Sequence, residues 1–116
     1  MGGAIIAESS EHLVVMNTCP DSETAGRIAA DLVDRKLAAC VQLLPGLQSY
    51  FHWDGKVDRA EEHLLLIKTS SASYPALERR IRELHPYELP EIIGVPVTKG
   101  LPGYLSWIND HTQQDD

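Results

Sequence analysis

The segment His85-Pro86-Tyr87-Glu88-Leu89-Pro90-Glu91-Ile92-Ile93-Gly94-Val95-Pro96-Val97 constrains the fold more than any other. Proline fixes its own φ and pushes the residue before it toward extended geometry. Pro86 therefore ends any helix arriving from upstream, and Pro90 keeps the link extended. The segment begins with an imidazole, a phenol and two carboxylates and closes as an apolar run of strand type. It reads as a rigid polar connection from a helix into a strand, the kind of place where sites sit.

The rest of the chain can be read against that link. His12 to Thr18 is a run of β-type residues stopped at Cys19-Pro20. Asp21 or Ser22 offers an N-cap, and Ala25, Ile28, Ala29, Leu32 and Val33 form the apolar stripe of an amphipathic helix, with Arg35 and Lys36 at its C-terminal end. Leu37 to Trp53 predicts a long second strand with a bulge at Pro45-Gly46. Asp54-Gly55 is a hairpin signal, and a third strand runs from Lys56 to Thr69. After a turn at 70–73, Tyr74, Leu77, Ile81 and Leu84 mark a second helix that stops at His85-Pro86. A fourth strand over 91–98, a turn over 99–103 and a short helix from Tyr104 complete the chain, with a frayed tail from Gln113 to Asp116.

The order β-α-β-β-α-β with an extra C-terminal helix predicts an α+β, ferredoxin-like sandwich with an antiparallel sheet. Residues 1–10 read as a disordered leader, 11–112 as a single domain. Two helices cover one face of such a sheet and leave the other wet, so its strands should alternate. Leu64 to Ile67 and Ile92-Ile93 do not alternate. Something must cover the second face, and a second copy of the chain is the expected cover. The hairpin arms over 47–60 also look long enough to reach a neighbour.

Composition excludes several classes. With 116 residues and a formal charge of −7, the chain suits one domain and disfavours nucleic acid as a partner. No run approaches a membrane span, and the N-terminus lacks the basic start of a signal peptide. Cys19 and Cys40 make neither a disulfide framework nor a CxxC pair, which suggests a reducing cytoplasm. No nucleophile elbow, GxGxxG or HExxH is present, so no catalytic residues are assigned and an enzyme is not expected.

Six short motifs in order, Leu37-Ala38-Ala39-Cys40-Val41, Trp53-Asp54-Gly55-Lys56, Ile67-Lys68-Thr69, His85-Pro86-Tyr87-Glu88, Pro90-Glu91-Ile92-Ile93 and Tyr104-Leu105-Ser106-Trp107, resemble the CutA family of divalent cation tolerance proteins. The resemblance runs from about His12 to Asn109. It implies a ferredoxin-like protomer in a homotrimer, similar in architecture to the PII signalling proteins. It also implies an association with copper and other divalent cations, while a PII-like sensor would in addition signal to an unidentified downstream protein partner. Some family members carry cysteine where this chain has Asn17 and lack one at Cys19.

Individual residues carry more than one reading. His85 is either a satisfied helix-end cap or, with Glu88 and Glu91, a ligand for Cu²⁺ or another weakly bound divalent cation. Cys19 at the lip of the first helix is either an incidental loop residue or an exposed thiol with a lowered pKa that joins them. Cys40 reads as a small hydrophobe or as a lining residue of an intersubunit pocket. Lys68, in an apolar strand, needs a carboxylate or an anionic ligand, and Glu91 is the expected partner if strands three and four are neighbours. Trp53 and Tyr87 complete the expected ligand pocket with Cys40, Lys68 and Glu91. His52, His63, Glu61 and Glu62 read as surface residues. Three functions follow: divalent-cation tolerance, a PII-like sensor of a small anion at the subunit cleft, or a structural trimeric scaffold.

Overall fold

Strand β1 (His12–Cys19) is the spine of a four-stranded antiparallel sheet, flanked by β3 (Lys56–Ser70) on one side and β4 (Ile92–Pro96) on the other. Strand β2 (Cys40–Trp53) pairs with β3 at the edge, giving the order β2-β3-β1-β4. The computed structural model describes residues 11–112. The expected leader over 1–10 and the tail from Gln113 to Asp116 lie outside the described residues.

Helices α1 (Ser22–Asp34) and α2 (Tyr74–Leu84) cover one face of the sheet. Their stripes Ala25, Ile28, Leu32, Leu77 and Ile81 meet Val15, Cys19, Leu65 and Ile67 in one core. Because successive side chains alternate across a strand, these odd-numbered positions define the helix side. Asp21 caps α1, its carboxylate accepting from the Thr24 N–H at 2.7 Å. A bidentate ion pair ties the helices together: Arg80 Nε and Nη2 donate to the two Asp31 oxygens at 2.9 and 2.8 Å. The paired guanidinium holds the Asp31 carboxyl below the usual range.

Helix α1 ends without glycine. Lys36 adopts φ 60°, and the Leu37 N–H donates to Leu32 O at 2.9 Å, closing the helix as glycine usually does. The left-handed region costs a side-chain-bearing residue roughly 1–2 kcal/mol. Lys36→Gly should therefore raise stability by about 0.5–1 kcal/mol after the entropy glycine adds to the unfolded chain. Urea unfolding checks this, and a lower midpoint would show that the Lys36 side chain contributes more than its backbone costs.

The expected punctuation of the hairpin is present. The β2–β3 register shifts between Leu44 and Leu47 around Pro45-Gly46, where Gly46 has φ 81°. Asp54 and Gly55 both have positive φ, as a two-residue type I′ turn requires. Strand β3 pairs with β1 only from His63 to Ser70, so Lys56–Glu62 and Leu47–Trp53 project past the other strands as a free two-stranded arm.

Two expectations are corrected. Strands β3 and β4 are not neighbours, because β1 lies between them. The second sheet face is also not wholly without helix. Helix α3 (Pro102–Asp110) lies over one end of it, with Lys68 Nζ 5.9 Å from the Tyr104 ring centroid and Thr112 bonded to the Ser70 hydroxyl at 3.4 Å. Away from α3 that face carries Val14, Met16, Leu64, Leu66, Ile93 and Val95, the even-numbered apolar positions of β1 and β3 and the odd-numbered ones of β4 that register with them.

Candidate functional site

The polar side chains single out two places, one at each end of the sheet. The first is where β1 runs out, α1 begins and the link from α2 to β4 crosses. Asn17 is fully buried, and its amide donates to the Glu91 carbonyl at 2.8 Å, anchoring the end of the link to β1. The Cys19 thiol donates to Asn17 Oδ1 at 3.5 Å. His85 bonds through Nε2 to the Thr18 carbonyl at 2.8 Å, while its Nδ1 accepts from the Tyr87 N–H at 3.1 Å. A carbonyl on one side and an N–H on the other define the Nε2–H tautomer and leave neither ring nitrogen free.

Tyr87 then reaches Glu62. Its hydroxyl donates to Glu62 Oε2 at 2.9 Å, and the Ser49 hydroxyl donates to Oε1 at 2.7 Å. Burial and this carboxylate push the Tyr87 phenol up to about 12, so it remains a donor throughout the neutral range. The arrangement ties the root of the arm to the polar link through one carboxylate.

This corrects the reading of Glu62 as a solvated charge, since it is 8% exposed. The pleat held the signal. Glu62 shares parity with Leu64 and Leu66, whereas Glu61 does not. His63 is half-buried rather than on the surface, with its Nδ1 enclosed and without a hydrogen-bond partner.

Cys19 is likewise corrected. It is fully buried, and burial first, then the Asp21 and Glu62 charges, push its thiol up to about 11. The expectation of an exposed, activated thiol fails because the side chain points into the core rather than toward the helix N-terminus. A thiol with a raised native pKa contributes stability that is complete below its unfolded value and lost as pH rises through the native one. Between pH 9 and pH 11 unfolding should become easier by on the order of 2 kcal/mol, and Cys19→Ala should flatten that slope. A pH series of urea midpoints measures it. An unchanged slope in Cys19→Ala would assign the loss to the tyrosines.

The second place is the helix-free face beside α3. Cys40, Lys68, Val14 and Val95 form one row across the four strands, each registered with the next. Cys40 and Lys68 are therefore adjacent, both half-buried. Lys68 does not meet Glu91. Its ammonium donates to Gln42 Oε1 at 2.9 Å.

The expected residues thus divide. Cys19, Tyr87 and the backbone of Glu91 gather at the first place, and Cys40 and Lys68 at the second. Trp53 stands 68% exposed at the tip of the arm, about 40 Å along β2 from Cys40. Glu88 and the side chain of Glu91 are exposed on the link. The expected metal set of His85, Glu88, Glu91 and Cys19 does not fit an ion within one chain. His85 has both nitrogens engaged, and the Cys19 thiol is protonated. Among the described residues no three histidine, cysteine, aspartate or glutamate side chains gather closely enough to hold a metal. No helix of the described residues is long and apolar enough to cross a membrane.

Comparison with known proteins places the fold in a family. A family model described as CutA1 divalent ion tolerance protein matches residues 13–111. A Thermus thermophilus protein named divalent-cation tolerance protein CutA is 44% identical over 99 residues, 85% of this chain and 96% of that one. Protein CutA of Mus musculus is 44% identical over 96 residues, 83% of this chain but 54% of that protein, so this chain spans about half its length. Among solved structures, CutA from Xylella fastidiosa superimposes with a TM-score of 0.87 at 45% identity, covering 90% of this chain and 100% of that one.

Proposed function

Because this chain belongs to the CutA1 divalent ion tolerance family, we propose that it serves divalent-cation tolerance as a non-enzymatic homotrimer in the cytoplasm. One observation carries the assembly: the helix-free face presents Val14, Met16, Leu64 and Leu66 in the middle of the sheet, with Ile93 and Val95 beside them 49% and 43% exposed. An apolar sheet face of that extent calls for a partner surface. The unpaired arm would clasp the neighbouring copy. Both cysteines are free, in keeping with a reducing compartment.

Copper is the ion to expect first, since N and O donors favour it over the other divalent first-row metals. Its ligands would be drawn from more than one copy, with the exposed Glu88 and Glu91 as free oxygens. A second reading, a PII-like sensor of a small anion with a downstream protein partner, is favoured by Lys68, which has no carboxylate within ion-pair distance among the described residues. Static light scattering at micromolar concentration should give about three chain masses. A folded monomer would sink the assembly and every intersubunit site with it.

A further inference from the structure

We propose that Lys68, Gln42 and Tyr104 form a binding corner for a small organic oxyanion, its carboxylate or phosphate head on Lys68 and its flat body against Tyr104. The inference deepens the anion-sensing reading and rests on the helix-free face being covered in the assembly.

Lys68, with Gln42 beside it, is a charged side chain in a patch otherwise made of Cys40, Val14, Leu66, Met16 and the neighbouring Ile93 and Val95. The ion pairs Arg35–Asp31, Arg80–Asp31 and Arg80–Glu83 lie on, or just beyond the end of, the two helices that cover the other face. A lysine can bury its stem and keep its head in water while the face is open. Once a partner covers that face, the ammonium is desolvated, and an uncompensated charge there is costly.

A neighbouring copy has one alternative source of the missing anion, the exposed Asp54, Asp58 and Glu61 of its arm. Compensation by a small anion from outside the chain and compensation by that arm make opposite predictions for the probes below.

The donor geometry agrees. The Lys68 ammonium gives one hydrogen to Gln42 Oε1, leaving two. With its oxygen held by Lys68, Gln42 turns its amide N–H₂ outward as two more donors. The corner offers donors beside an aromatic ring, a set that selects an acceptor-only head group over a neutral or cationic one. Tyr104 stacks on Trp107 with centroids 5.6 Å apart and planes 21° apart, and Trp107 lies 4.7 Å from the His111 ring. Tyr104 is 40% exposed, leaving it surface on which a flat body can rest.

Phenyl phosphate titrated calorimetrically into the full chain tests this, with inorganic phosphate, phenol and benzoate as comparison probes and light scattering on the same samples. Phenyl phosphate should bind once per chain and phenol not at all, with benzoate showing which head is preferred. Lys68→Met should weaken phenyl phosphate at least about tenfold, and Lys68→Arg should keep most of the affinity. Tyr104→Leu should weaken phenyl phosphate severalfold and leave inorganic phosphate unchanged. Equal binding by Lys68→Met and wild type would overturn the proposal. So would a trimer that binds none of the anionic probes, because a neighbour's carboxylate would then be neutralising Lys68. A monomer that binds through Lys68 would support the corner while removing the assembly reading. A monomer that binds nothing would overturn both.

Discussion

Replacing Tyr50–Arg59 by Asn-Gly should reduce the particle from about three chain masses to one and leave the protomer folded. The excision is framed by a registered pair, Ser49 opposite Ala60, so a two-residue turn closes the shortened hairpin without changing its register. Nothing removed belongs to the core, which is built from β1, β3 beyond His63 and the two helices. The Ser49–Glu62–Tyr87 bonds also remain. What is lost is a projecting ribbon whose Tyr50, Trp53 and Val57 are each about two-thirds exposed. Such apolar exposure on a two-stranded ribbon is unfavourable in a monomer, and an isolated ribbon is marginal in water. A neighbour that covers these side chains accounts for both. Light scattering and a thermal melt decide it together. An unchanged mass with an unchanged melt would mean that the arm plays no part in assembly.

The elements were legible in the sequence because their causes are local. Pro45-Gly46 and Asp54-Gly55 act through their own φ values, so the bulge and the turn form where the residues predict them. The α1 and α2 stripes needed only a 3.6-residue period. Strand adjacency is a different matter, since it depends on where the chain returns after a crossover. Lys68 lacks a carboxylate and Glu91 offers one, but the split βαβ order inserts β1 between β3 and the start of β4, and the pairing fails for that non-local reason. Glu62 shows the opposite error. A carboxylate next to another carboxylate looks solvated until its parity with Leu64 and Leu66 is counted. The same parity governs Cys19, because odd positions of β1 face the helices and position 19 is still within the strand. The polar link is legible from its prolines and polar residues, but those residues act first on the fold.

His85→Ala should destabilise the protein by about 3 kcal/mol and leave copper affinity unchanged once the variant is folded. The ring is 7% exposed and serves two backbone groups, accepting from the Tyr87 N–H and donating to the Thr18 carbonyl. Truncation strands both at roughly 1–3 kcal/mol each, less whatever water reaches them, and leaves a gap under the link. Freed from His85, Tyr87 should also lose its hold on Glu62, so the root of the arm loosens with it. His85→Gln is the informative partner variant. A glutamine amide can donate to Thr18 with its nitrogen and accept from Tyr87 with its oxygen, so it should recover more than half of the loss. A metal ligand would behave differently, since an amide replaces an imidazole poorly on Cu²⁺. Urea midpoints and Cu²⁺ titrations on wild type, His85→Ala and His85→Gln separate the two roles. Rescue of stability by glutamine with copper binding intact makes His85 a clamp on the link. Unchanged stability with copper binding abolished in both variants would restore it as a ligand.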